Sequence, residues 1–361
     1  MFLVIRKWFN HYFASEEAVS LLAIVSLIML IVVFLGDVLL PVLAAMIIAF
    51  LLHGFVVRLS VFIPRNIAVY AVFILFVLTL LLTLVFAIPL LIGQMDNLIG
   101  EVPQIVLKVQ QGLLLLQTHY PEYISDAQVT SWMQSIKTYV LSWGQTVLST
   151  SLGSIVNALT VMVYGILIPM LVFFFLKDNA LIFGWFTQFL PEHRPVMNSI
   201  WHDMHQQTSN YFRGKALEIA IVGVVSLLTF WFMGLNYGAL LALAVGLSVI
   251  IPFIGAAVVT LPVALVGYFQ WGISDAFFYL LLAYTIIQFL DGNILVPFLF
   301  SEAVNLHPSA VIIAVLFFGG IWGVWGVFFA IPLATVIKAL VQAWPKSAVN
   351  TSAPEESVLP S

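Results

Sequence analysis

The chain has 361 residues, of which 63% are hydrophobic and only 8% charged, with 12 Lys and Arg against 16 Asp and Glu and a net charge of −4. A soluble domain carries roughly 25% charge, so a soluble globular enzyme is excluded, and so is a disordered chain, which needs low hydrophobicity and high charge. The acidic balance leaves no basic footprint for nucleic acid, and the absence of cysteine removes disulfides, thiolate catalysis and Cys-ligated metals.

What remains is an all-α integral membrane protein whose solvent is lipid. Residues 1–17 set Trp8, Phe9, Tyr12 and Phe13 beside Arg6 and Lys7, an interfacial pattern. They are no cleavable signal, because the apolar stretch behind them runs straight into a second one. Spans are expected at 18–35 and 38–57, with Gly36-Asp37 as a tight turn, and at 67–92. Residues 93–154 then leave the membrane. Ile99, Val102, Val106, Val109, Leu113 and Leu116 recur at helical spacing, as do Trp132, Ile136, Tyr139, Trp143 and Val147 beyond a joint at 119–122. Two such helices cannot bury both stripes alone, so this region is expected to pack on the membrane part or on a second copy, as in a homo-oligomer. A fourth span covers 155–176. Residues 177–215 form a cytoplasmic amphipathic segment, with Met197, Ile200, Trp201, Met204 and Tyr211 opposite His202, Asp203, Gln206, Ser209 and Asn210. A fifth span, 216–233, opens a transport core over 216–344, and the polar tail 345–361 reads as disordered.

Basic residues give the orientation. Ten of the twelve flank the spans on one side, and only Lys108 and Lys137 fall in the 93–154 region. The positive-inside rule puts both termini in the cytoplasm and 93–154 outside.

The second half holds two broken apolar segments. One, 238–269, breaks at Ile251-Pro252-Phe253-Ile254-Gly255; the other, 309–340, breaks at residues 319–326, which carry four glycines. Between them lies an unbroken segment, 276–290. Two readings stand. Each broken segment is a kinked span, giving eight spans, or each is a re-entrant hairpin with the break as its tip. A 12-residue arm rises about 18 Å, half a membrane. In the hairpin reading the two halves of the core form an inverted-topology repeat of span plus hairpin, a frequent transporter construction. Ala256 precedes Pro262 by six residues, as Gly326 precedes Pro332, a weak echo of that repeat. Broken helices at membrane depth leave backbone groups that must face protein or a wet cavity. The amides that follow Gly255 and Gly326 would then be exposed for a polar or anionic group. The plainer alternative is a kink with close helix packing, which glycines at 319, 323 and 326 also suit.

These breaks also carry a resemblance. Tyr211-Phe212-Arg213-Gly214-Lys215, Ile251-Pro252-Phe253-Ile254-Gly255, Asp291-Gly292-Asn293-Ile294-Leu295-Val296-Pro297, Leu306-His307-Pro308, the Gly319-Gly320, Gly323, Gly326 spacing and Ala330-Ile331-Pro332-Leu333 together resemble the autoinducer-2 exporter (AI-2E) family of bacterial permeases. Order and spacing match over about 205–340. The sequence departs at Lys215, where the family more often has glutamine, and at Glu302, which looks like a permease sub-branch. The resemblance implies an oligomeric inner-membrane transporter. Characterised relatives are described as exporters of autoinducer-2 or as Na⁺(Li⁺)/H⁺ antiporters.

Ionisable groups at membrane depth are functional candidates by default. Asp291 ends the 276–290 segment, with Gln288 one turn before it and Asn293 just after. A carboxylate with two amides suits a cation or substrate hydroxyls; a water-facing Asp-Gly-Asn turn is the plainer reading. Glu218, three residues after Lys215, reads first as an interfacial group at a helix start. His307 reads as a cap before Pro308, Asp37 as a solvated cap, and His53 and Arg58 as snorkelling groups. Ser248, Thr260, Tyr284 and Thr285 suit a polar path, against the alternative of bonding their own helix. His202, Asp203 and His205 are far more simply a solvated face than a metal site.

No cofactor, metal or catalytic residue is expected. There is no His-Glu-x-x-His, no phosphate-binding loop, and no histidine at membrane depth to activate Ser248. The expected function is secondary transport of a small polar solute or an ion. An intramembrane enzyme and an oligomeric channel or structural protein are the competing classes.

Overall fold

The structure is a computed structural model. It describes residues 16–119, 127–135, 154–190, 194–252, 254–300 and 306–343, with positions 125, 138 and 142. The 1–15 segment, the joint at 120–122, the stripe beyond 135, Phe253, Glu302 and the tail lie outside the described residues. Every described element is helical, which satisfies all backbone groups internally where there is no water. Phe34, Trp231 and Phe232 are among many large apolar side chains left 70% or more exposed, the surface expected against lipid.

Among the described residues, six helices are long and apolar enough to cross a membrane, or seven if one broken pair counts as a span. The count is below the expected eight, and the first difference is at Gly36-Asp37. There is no turn there. Helix α1 runs unbroken over Glu16–Leu59, about 66 Å. A Cβ on Gly36 would run into the Trp322 indole, so this glycine serves close packing rather than chain reversal.

A second long rod follows. Helix α2 (Arg65–Leu82), a π-helical turn (Thr83–Ala87) and helix α3 (Ile88–His119) are continuous. The expected exit at residue 92 is therefore not a break in the helix. The π turn lies just before Pro89, which has no N–H to give and whose ring crowds the carbonyl four residues back. Widening the turn relieves both. Of the expected stripe, Val106, Val109 and Leu113 are half-buried, but Ile99 is exposed and Leu98 packs inward instead. Helix α4 (Ser154–Lys177) matches the fourth expected span, and α5 (Asn179–Thr187) follows it.

Helix α6 (Pro195–Met233) is one 39-residue helix. The part of the expected amphipathic segment from 195 on and the fifth span are thus a single element, with no break at Gly214-Lys215. Ser209, expected on a polar face, is buried, and Trp201, expected on the apolar face, is exposed.

The remaining elements are α7 (Gly238–Ser248), α8 (Ile254–Trp271), α9 (Asp275–Leu290), a second π turn (Asp291–Leu295), α10 (Val296–Phe300) and α11 (Pro308–Ala343). The second π turn again sits just before a proline, Pro297. Asp-Gly-Asn therefore does not end the helix: α9 continues through it into α10.

The chain forms two compact units: residues 41–179 with 212–301, and residues 1–40 with 180–211 and 302–361. In the first, one core joins Val222 and Phe230 of α6 with α7, α8 and α9, and another joins α1, α2 and α4. In the second, Met197 and Ile200 pack with Ile24, Leu190 and Leu340, and α11 makes its own core across its break.

Candidate ion site at the broken helices

Helices α7 and α8 fold back on each other. A straight course would put residues 236 and 270 about 50 Å apart. Instead the Asn236 amide donates to Gln270 Oε1 at 2.7 Å, and Gln270 Nε2 donates to the Gly234 carbonyl at 2.7 Å. At the other end a Cβ on Gly255 would overlap the Ser248 carbonyl. The pair is an antiparallel hairpin with Pro252 and Gly255 at its tip. Helix α11 does the same within its own unit. Gly323 adopts φ 59°, ψ −138°, which L side chains rarely adopt. A Cβ on Gly326 would meet the Phe318 carbonyl, eight residues back and about 12 Å away in a straight helix. Ala314, Val315 and Phe318 share a core with Ala330 from the far side of Gly323.

The amides within the first tip are bonded locally. Ile251 N–H donates to the Ser248 carbonyl and Gly255 N–H to the Ile251 carbonyl, both at 3.0 Å. What the tip presents is a carbonyl oxygen. Lys215 Nζ donates to the Val249 carbonyl at 3.0 Å and pairs with Glu218 Oε2 at 2.6 Å. The same ammonium lies 5.1 Å from the Phe300 ring centroid and interacts electrostatically with Asp291. Both side chains of the pair are buried, at 7% and 3% exposure. Charges taken out of water at such depth need partners, and these supply them. Asp291 Oδ1 is buried without a hydrogen-bond partner among the described residues, as is Gln288 Nε2.

A polar line continues along α9. Tyr284, Gln288 and Asp291 fall on one helix face by their spacing. The Tyr284 hydroxyl donates to the Ala256 carbonyl at 3.1 Å and accepts from Thr260 at 3.2 Å, and Gln288 lies beside that hydroxyl. The tip of the hairpin, the π turn and the middle of α6 thus meet at one polar cluster.

Of the expected site residues, Asp291, Glu218, Gln288, Pro252 and Gly255 belong to this region. Glu218 is buried. Ser248 is buried, but its hydroxyl donates to the Val245 carbonyl at 2.7 Å, so it bonds its own helix. Asn293 is exposed and donates to Phe289 O at 2.9 Å, away from the cluster, and Thr285 likewise bonds its own helix. Gly323 and Gly326 form the separate α11 hairpin. His307 caps α11, its Nδ1 accepting from the Ser309 amide at 3.2 Å. No group of metal-ligating side chains occurs among the described residues.

Sequence reasoning noted Lys215 only as a departure from the family pattern and as the neighbour of Glu218, not as a site residue, and it missed Val249 and Phe300. The signal was present. Tyr211, Lys215, Glu218, Val222 and Ser226 recur at helical spacing, and all are buried.

The open end of the hairpin carries a second polar feature. A groove of about 510 Å³ is lined by Gln94, Asp96, Asn97, Glu101, Asn236 and Tyr237. Gln94 Oε1 accepts from the Leu240 amide at 2.9 Å. Tyr237 sits in the left-handed region, φ 58°. Its phenol is pushed up to about 12, first by desolvation and then by its hydrogen bond to Glu101 and that group's charge.

Comparison with known proteins places the chain. The AI-2E family transporter model matches residues 22–346. PerM of Escherichia coli strain K12, named as a candidate permease, is 42% identical over 346 residues, 96% of this chain and 98% of PerM. Two candidate transport proteins of Bacillus subtilis strain 168 are also similar. YueF is 25% identical over 85% of this chain and 84% of its own length. YrrI is 27% identical over 77% and 78%. Helices apolar enough to cross a membrane and this match agree: the chain is a multi-pass membrane protein and belongs to the AI-2E transporter family.

Proposed function

We propose that the protein is a secondary transporter that moves a small polar solute, an autoinducer-2-like molecule being one such cargo, across the bacterial inner membrane by alternating access. The observation that carries this reading is the Lys215–Glu218–Asp291 cluster at the tip of a broken helix. Buried charge inside an apolar bundle is costly. Broken helices lining such charge are how transporters build substrate and ion sites. In this reading α7–α8 is a re-entrant hairpin open to the outside, and α11 is its inverted counterpart. Both termini are cytoplasmic, and residues 93–154 hold copies together. No catalytic role is assigned.

Na⁺(Li⁺)/H⁺ antiport is the second reading, favoured by the two carboxylates that share the cluster. Purified protein in liposomes distinguishes the readings. Saturable uptake of a polar solute, lost in Asp291→Asn, supports the first. Cation-driven proton movement without solute supports the second. Ohmic conductance points instead to a channel and overturns both.

A further inference from the structure

We propose that the Lys215 ammonium is a resident cation: it occupies a site whose oxygen ligands would otherwise bind a free monovalent ion. The inference rests on reading the cluster as the site of the proposed solute transporter. An ammonium group and a small monovalent ion ask for the same partners, namely anionic and carbonyl oxygens with little water. Lys215 Nζ has them. Glu218 Oε2 lies at 2.6 Å and the Val249 carbonyl at 3.0 Å, with the Asp291 charge acting on the same group. Val249 directly follows the last residue of α7, so its carbonyl belongs to the negative end of a broken helix. Such ends, together with unwound carbonyls, hold coupling cations in transporters. The Phe300 ring closes another side at 5.1 Å, a cation–π contact.

The ammonium is held by its own side chain, and that has a consequence. The chain itself supplies the positive charge beside Glu218 and Asp291, so a dissolved cation would have to displace the Lys215 ammonium to bind there. The wild-type protein should therefore be indifferent to Na⁺. Removing the ammonium should uncover a cation requirement.

The test uses the full chain purified in detergent. Thermal unfolding and equilibrium ²²Na⁺ binding are measured in NaCl, LiCl and methylammonium chloride, with choline chloride as the bulky control. Wild type is expected to unfold at the same temperature in all four and to bind no Na⁺ at this site. Lys215→Ala is expected to be less stable in choline, to be restored saturably by Na⁺, Li⁺ or methylammonium, and to bind ²²Na⁺. Adding Asp291→Asn should weaken that binding by about tenfold or more. The proposal is overturned if Lys215→Ala gains no ion response, including the case where it stays unfolded in every salt. It is also overturned if wild type binds Na⁺ and Glu218→Gln abolishes that binding. These readouts are equilibrium binding and stability, so they decide the matter even if the protein transports nothing in liposomes.

Discussion

Gly255 sets its bare Cα against the backbone of Ser248, and a Cβ there would overlap the Ser248 carbonyl oxygen. This one contact closes the tip of the α7–α8 hairpin and fixes where the Val249 carbonyl points. Backbone cannot yield as a flexible side chain does, so Gly255→Ala should cost about 3 kcal/mol, the upper range for overpacking. Gly292→Ala is the matched control. Nothing lies within 4 Å of a Cβ there, and alanine should be neutral or stabilising by up to about 1 kcal/mol. Denaturation of the two purified variants side by side checks the pair.

Glu218 and Ser248 are both buried, but their loss should differ sharply. Glu218→Gln leaves the Lys215 ammonium without its closest counter-charge. Breaking a buried pair by removing one partner costs about 3–5 kcal/mol, and flux in liposomes should fall with it. Ser248 gives its hydroxyl only to its own helix, so Ser248→Ala should cost about 1 kcal/mol or less and leave flux near wild type. Equal defects in the two variants would contradict this division.

The sequence told these two residues apart less well than the structure does, and the reason is physical. Periodicity and motif spacing identified the breaks at 251–255 and 319–326, the 276–290 segment and Asp291, because interruptions in apolar sequence are conspicuous. Glycine was ambiguous. Gly36 reads as a turn, but it lies inside an unbroken helix with the indole of Trp322 against it. The continuity of α6 was equally hidden, since charges at Arg213 and Lys215 look like the end of a span. Once the helix runs through them, Lys215 and Glu218 face inward and become the site. The two π turns before Pro89 and Pro297 were not legible, since Pro41, Pro103, Pro169, Pro262 and Pro332 lie inside helices with no such turn.

Tyr237 gives a pH dependence with a defined sign. An unfolded tyrosine ionises near its ordinary value of 10, whereas in the folded protein the phenol holds its proton to about 12. Below 10 both states are protonated and its contribution is complete. Between 10 and 12 the unfolded state alone loses the proton, so stability falls as pH rises. The unfolding temperature of wild type minus that of Tyr237→Phe should therefore shrink across this window. Subtracting the variant removes the common titration of other tyrosines and lysines. A difference that is flat from pH 9 to 12 would show that neither desolvation nor Glu101 raises the phenol.

Topology separates the hairpin from a kinked span. The chain has no cysteine, so single cysteines introduced one at a time report without background. The proposed re-entrant hairpin returns the chain to the side it left, which puts Asn236 and Ile273 on one side and Asn293 on the other. Ile273 is a better probe than its neighbour Ser274, whose hydroxyl is buried, since Ile273 is 77% exposed. Asn236→Cys and Ile273→Cys should both react with an impermeant maleimide added outside intact cells, while Asn293→Cys should react only after permeabilisation. A kinked span reverses Ile273 and Asn293 while leaving Asn236 outside. The Asn236–Gln270 hydrogen bond favours the first outcome, because a chain that crossed the membrane between those residues could not make it.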